Sequence, residues 1–192
     1  MDDIKVEQNT SAEELYRRYI DGDDNSFEEL VILYHDELSD FIFSIVKDHH
    51  EAKHLTIEAF ANLAVGGKQF SGKASLKTYL FTIGKNLSKR YLKLRRNEQH
   101  LSFNELEGMV FDSSVAPDVH VIKSEDLQLF YTAMDALKDE YRTVIDLLYF
   151  RDMSYIEAGS IMNKNVKQVT NLAYRAKTAL KKEIESLETV SK

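Results

Sequence analysis

The stretch from Ser154 to Leu180, SYIEAGSIMNKNVKQVTNLAYRAKTAL, decides how the C-terminal part of the chain folds. Ser154 followed by Glu157 has the form of a capping box, in which the hydroxyl accepts from an early helix amide and the carboxylate reaches back to the cap. It opens a short helix ending near Met162. Asn163-Lys164-Asn165 then reads as a turn, and Asn165 is placed to cap a second, longer helix. In that helix Val169, Ala173, Ala176, Leu180 and Ile184 recur at three- and four-residue steps, which predicts a buried stripe. Gly159 falls where the two helices approach closely and a side chain would hinder them. A short helix, a tight turn and a basic second helix is helix-turn-helix grammar, with an ordinary helical hairpin as the competing reading.

Working back from there, Leu127, Phe130, Met134 and Leu137 form one stripe, and Val144, Leu147 and Leu148 the next, in a helical unit starting near Ser124. From Asn97 to about Lys123 the periodicity fails; Gly108, Ser113-Ser114, Pro117 and several acids make this a linker. The N-terminal part is helical again. A short helix over Glu13 to Ile20 covers a longer one whose stripe is Phe27, Leu30, Val31, Tyr34, Leu38, Phe41, Ile42 and Ile45, with Ser26 and Glu29 read as its capping box. Asp48-His49-His50 interrupts it. Leu55, Ala59, Phe60 and Leu63 mark the next helix, ended by Gly66-Gly67. Leu76, Leu80, Ile83, Leu87 and Leu94 mark a fourth, with Lys85, Lys89, Lys93 and Arg96 on a different face. The expected architecture is all-α: a helical domain over residues 1–96, a linker over 97–123, and a helix-turn-helix domain over 124–192.

Composition agrees. Of 192 residues 43% are hydrophobic, enough for packed cores, while one proline and seven glycines leave few breakers. Cysteine is absent, which excludes a disulfide framework and thiol chemistry. The N-terminus, Met1-Asp2-Asp3-Ile4-Lys5, is acidic and lacks an apolar core, so no signal peptide is expected there. No apolar run approaches the ~18 residues of a membrane span.

Net charge is −7, at first sight wrong for a nucleic-acid binder. The distribution reverses that impression. From Lys68 to Arg96 there are nine Lys and Arg and no acid, and from Asn163 to Lys182 there are six and again no acid. Acids gather instead in Asp2–Asp40 and Glu98–Asp126. Two acid-free basic blocks on an acidic body point to two polyanion-facing surfaces, where ordinary solvated faces mix the two signs.

With these residues in hand, the chain resembles the extracytoplasmic-function group of bacterial sigma factors over about Leu15 to Leu187. Four stretches carry the likeness: Gly22 to Leu30 (GDDNSFEEL), Glu51 to Phe60 (EAKHLTIEAF), Phe70 to Asn86 (FSGKASLKTYLFTIGKN) and the helix-turn-helix. Each is loose alone; their order and spacing are specific. The resemblance implies a non-enzymatic, cytoplasmic protein, associated with the nucleoid when on polymerase. It directs core RNA polymerase to promoter DNA, duplex and melted, without a cofactor, metal or membrane insertion, and leaves an anti-sigma factor open as a further partner.

The resemblance also assigns roles position by position. Glu51, His54, Leu55 and Glu58 would contact the polymerase clamp, where Lys53-His54 replaces a commonly acidic pair. The loop with Phe70, Ser71, Gly72 and Lys73 would hold the melted minus-ten strand. Asn86 would read a base edge, Tyr79 and Phe81 would stack or wedge, and Lys85, Lys89, Arg90 and Lys93 would meet phosphates. For Tyr79, plain core packing is the equal alternative. In the second basic helix Lys167, Gln168, Thr170, Asn171, Tyr174 and Arg175 would face the minus-thirty-five major groove, with Lys177 and Lys181 on phosphate. Family members often carry basic residues where Thr170 and Leu172 stand. Free protein is expected to bind promoter DNA poorly and to gain competence on polymerase.

Rival classes fit less well. His50-Glu51-Ala52-Lys53-His54 spells a zinc-protease motif, but Lys53 sets a positive charge beside the metal and no convincing third ligand lies downstream. A stand-alone helix-turn-helix regulator explains Ser154 to Lys182 but not the basic, aromatic-rich block before the linker. A degenerate sigma-like interaction module is a third reading.

Overall fold

In the computed structural model residues 10–66, 70–103 and 125–190 are described, and among them all regular structure is helical. The first unit consists of α1 (Ala12–Ile20), α2 (Asp24–Val46), α3 (His49–Val65) and α4 (Leu76–Phe103). The second consists of α5 (Glu125–Ala136), α6 (Asp139–Ile145), a π-helical turn (Asp146–Phe150), α7 (Tyr155–Met162) and α8 (Val166–Val190).

Local chemistry sets the boundaries. Ser11 caps α1 by accepting the Glu14 amide at 3.2 Å. The capping box read at Ser26 and Glu29 does not form. Gly22, at φ 104°, turns the chain earlier, and Asp23 becomes the flanking residue. Ser26 is instead buried inside the helix and donates to Asp23 Oδ2 at 2.7 Å. Lys47 in the left-handed region closes α2, and Asp48 opens α3 by accepting the amides of His50 and Glu51 at 3.0 and 3.1 Å. α4 runs past the boundary read at Arg96, to Phe103, because residues 97–103 contain neither glycine nor proline to stop it. Leu94, expected in the buried stripe, is exposed in the later part of α4, as is Leu127 at the start of α5.

The first core packs Leu30, Leu38, Phe41 and Ile42 of α2 against Ala59 and Leu63 of α3 and Leu76, Leu80 and Phe81 of α4. α2 and α4 cross at Gly84, where a Cβ would stand 2.9 Å from Leu38 Cδ1. In the second unit Met134, Leu137, Val144 and Leu147 enclose Ile161, Val169, Ala173 and Ala176. The units dock on one another: α4 lies along α7, and α6 touches α2.

Candidate nucleic-acid interface

The Ser154 box forms in full. Its hydroxyl accepts the Glu157 amide at 3.3 Å and the Glu157 carboxylate accepts the Ser154 amide at 2.9 Å. α7 ends at Asn163, left-handed at φ 55°, and the Lys164 amide returns to the Gly159 carbonyl at 2.9 Å. A Cβ on Gly159 would sit 2.6 Å from the Lys164 carbonyl oxygen, so the turn closes only over glycine. Asn165 caps α8 by accepting the Gln168 amide at 2.9 Å, while Gln168 Oε1 accepts the Asn165 amide at 2.9 Å. This second box goes beyond the single Asn165 cap that the sequence suggests, and it ties the Gln168 side chain to the cap.

Val169, Ala173 and Ala176 fix the buried side of α8. The opposite side exposes Lys167, Gln168, Thr170, Asn171, Tyr174, Arg175, Lys177 and Lys181. Thr170 spends its hydroxyl proton on the Val166 carbonyl at 2.9 Å, and Lys181 lies 3.7 Å from Glu185. Lys177 Nζ stands 4.5 Å from the ring centre of Tyr149, and exposed Tyr155 is nearby. Neither tyrosine stands out in the sequence, since Tyr149 adjoins an apparent core stripe.

The first basic block lies along α4 and the loop before it. Ser71, Gly72 and Lys73 are exposed, and Gly72 takes φ 69°. Phe70 and Tyr79 pack together at a centroid distance of 5.4 Å, with Phe70 edge-on to Tyr16 at 5.6 Å. Both are half-buried at the core margin. Phe81 is 0% exposed and packs on Phe41 at 5.1 Å, so its ring belongs to the core in this arrangement and presents no stacking face. Asn86, Lys89, Arg90 and Lys93 are exposed, Arg90 paired with Glu58 of α3 at 2.6 Å. Lys85 departs from the expected phosphate-facing role: it is 6% exposed and donates to the Ile161 carbonyl of α7. Burial, with Lys89 and Lys164 nearby, holds its ammonium down to about 8.

The chain matches two family descriptions in register with this geometry: "Sigma-70 region 2" over residues 30–98 and "Sigma-70, region 4" over residues 127–180. The ECF RNA polymerase sigma factor SigW of Bacillus subtilis is 28% identical over 173 residues, covering 86% of this chain and 92% of that protein. SigM of the same organism is 26% identical over 156 residues, covering 81% and 93%. The chain belongs to the extracytoplasmic-function group of bacterial sigma factors.

The fold of this sigma factor has solved counterparts. RpoE of Bartonella quintana, solved with the anti-sigma factor NepR, superposes at a TM-score of 0.67 with 25% identity, covering 83% of this chain and 96% of that one. CnrH, solved with the cytosolic domain of CnrY, gives 0.66 at 19% identity, over 90% and 96%, a likeness of fold. The region 2 match takes in most of α2, all of α3 and most of α4; the region 4 match takes in the helix-turn-helix through Leu180.

Within region 2, His54 is exposed on α3, Glu51 and Glu58 are half-buried and Leu55 faces the core. Among the described residues no three His, Asp or Glu side chains gather into a metal-binding group, and the His50–His54 motif has no third ligand beside it. No helix among them is long and apolar enough to cross a membrane.

Proposed function

We propose that this sigma factor divides promoter recognition between its two units and contacts core RNA polymerase through α3. Glu51, His54 and Glu58 meet the clamp. Asn86 on α4, with the loop at Phe70 to Lys73, takes the melted minus-ten strand, while Lys89, Arg90 and Lys93 hold its phosphates. On α8, Lys167, Asn171, Tyr174 and Arg175 read the minus-thirty-five duplex, with Lys177 and Lys181 on the backbone. The observation carrying this reading is the pairing of two acid-free basic helices, one in each unit, both exposing side chains of the kinds that read bases and phosphates.

The protein supplies recognition, not a reaction. Its working place is then the bacterial cytoplasm, on the nucleoid when bound to polymerase. An anti-sigma factor belongs among its partners by likeness to RpoE, whose structure contains one.

Transcription in vitro tests the assignment. Purified core polymerase with this protein initiates specifically at a native promoter, and core alone does not. Tight sequence-specific binding of duplex DNA by the free protein, with no effect on polymerase, would replace this reading with a stand-alone regulator.

A further inference from the structure

Helix α1 grips both ends of the loop that precedes α4. Tyr16 is buried, and its hydroxyl donates to the Leu63 carbonyl at 2.9 Å. That oxygen is among the last four of α3, for which the helix itself supplies no amide. The Tyr16 ring meets Phe70 edge-on at 5.6 Å, and Phe70 meets Tyr79 at 5.4 Å, so the Phe70 ring is held between α1 and α4. Three residues before Tyr16, on the same side of α1, Glu13 Oε1 accepts the Leu76 amide at 2.9 Å. This is the first amide of α4, equally without an acceptor inside its own helix. Ser75 Oγ accepts the Thr78 amide at 3.2 Å, so α4 is capped jointly by a chain neighbour and by a residue 63 positions away from Leu76. Between the two grips Ser71, Gly72, Lys73 and Ala74 are all exposed.

Resting on the assignment of this loop to the melted minus-ten strand, we propose that α1 is its positioning element: Glu13 and Tyr16, one helical turn apart, fix the two ends of the segment that selects the bases. Tyr16 is buried and Glu13 carries the wrong charge for a phosphate contact, so both act through the loop. Selection between bases needs the reading groups held to within about 0.5 Å, which a loop achieves only through what supports it. The exposed tip at Ser71 to Ala74 therefore inherits its geometry from the points where its ends are fixed. α3 and α4 already pack together around Leu63, Leu76 and Leu80. The two polar grips are not what joins these helices; what they add is register at the loop ends.

The test is the preference of holoenzyme, assembled from core polymerase and the full chain, between two single strands. One carries the minus-ten sequence of a native promoter and the other a substituted base within it. The ratio of the two affinities is indifferent to the fraction of active molecules, which a merely structural role would lower. Tyr16→Phe removes the hydroxyl and keeps the ring, and Glu13→Ala removes the cap. Each should reduce the preference by about five-fold, the scale of one hydrogen bond or one helix cap, with core binding unchanged. Glu13→Gln retains an oxygen for the Leu76 amide and should keep the preference. Gly72→Ala strains the loop itself, at φ 69°, and should lose it. Full preference in Tyr16→Phe and Glu13→Ala, with preference lost in Gly72→Ala, would overturn the proposal and leave the loop assignment standing. Equal loss in Glu13→Gln and Glu13→Ala would overturn the capping role of Glu13. Full preference in every variant, Gly72→Ala included, would overturn the loop assignment on which the proposal rests.

Discussion

The Glu157 carboxylate that completes the cap of α7 also accepts the Thr78 hydroxyl of α4 at 3.3 Å. Burial raises this carboxyl, but the Ser154 amide and the hydroxyls of Ser154, Ser75 and Thr78 outweigh that and keep it below its usual value. Thr78→Val keeps the shape and removes one donor, leaving the Ser154 cap intact. The docked state should weaken by ~0.5–1.5 kcal/mol, a several-fold change in equilibrium. It should appear as slower cross-linking between cysteines introduced in place of Lys47 and Asp135, which face each other across the junction at 2.5 Å, with helix content by circular dichroism unchanged. Unaltered bridging would show that the contact adds nothing to docking.

Raising the pH should tighten docking. Docked Lys85 titrates at about 8, against 10.5 when solvated, because burial comes first among its causes; Lys89 and Lys164 add to it and Glu140 opposes. Below about 8 both states carry the proton and docking is insensitive to pH. Between 8 and 10.5 the separated state binds the proton and the docked state does not, so each rise in pH favours docking, by at most about ten-fold per unit. Self-quenching of dyes at positions 47 and 135 should rise across this window and stay flat in Lys85→Met.

Arg175 and Gln168 sit on the same exposed side of α8 but should fail differently. Arg175→Ala should lose ~1–3 kcal/mol at one base pair of the minus-thirty-five element. Gln168→Ala breaks the reciprocal cap with Asn165 and should lower unfolding stability by about 1 kcal/mol, with sequence preference retained. Promoter substitution series and thermal melts on both variants separate the two. Equal loss at every upstream sequence for Arg175→Ala would make it a phosphate contact.

On α4, Asn86→Ala should impair promoter opening with core binding intact and the salt dependence unchanged. Lys89→Ala should weaken the open complex at all promoters and reduce the slope of log affinity against log salt by about one. A changed salt slope in Asn86→Ala would remove its base-reading role.

Gly159→Ala sets two effects against each other. Alanine favours a helix over glycine by ~1 kcal/mol. Its Cβ, however, would stand 2.6 Å from a backbone oxygen, which cannot swing aside as a flexible side chain does. Overpacking of this kind costs ~1–3 kcal/mol. The clash should win, and the melting temperature should fall by several degrees.

The features legible in the sequence are local. Ser154 with Glu157, Asn163 and Asn165 each act within four residues, and the helix-turn-helix they predict is the one that forms. The stripes Leu30–Leu38–Ile42 and Val169–Ala173–Ala176 pack as their spacing requires. Ser26 misleads because the same Ser-x-x-Glu pattern serves either as a cap or inside a helix, and Gly22 rather than the pattern chooses. Leu94 fits the core stripe by spacing, but periodicity does not reveal where a neighbouring helix stops. The docking of α4 on α7 leaves no trace: Ser75 and Glu157 are 82 positions apart, and a lysine at position 85 looks the same facing phosphate or facing a carbonyl.

The wide turn from Asp146 to Phe150, where the Arg151 amide reaches back five residues to Asp146 at 3.1 Å, holds one residue more than an α-helical turn. The phase between α6 and the helix-turn-helix is therefore set by a single codon. Removing one residue there would return the backbone to α geometry and rotate by about 100° the direction in which the chain leaves the turn for α7. Glu157 and Ile161 would then no longer be aimed at Thr78 and Lys85, although the caps of α7 and α8 would survive unchanged. Substitutions in this segment are tolerated or not according to packing, whereas a change of length redirects a whole domain.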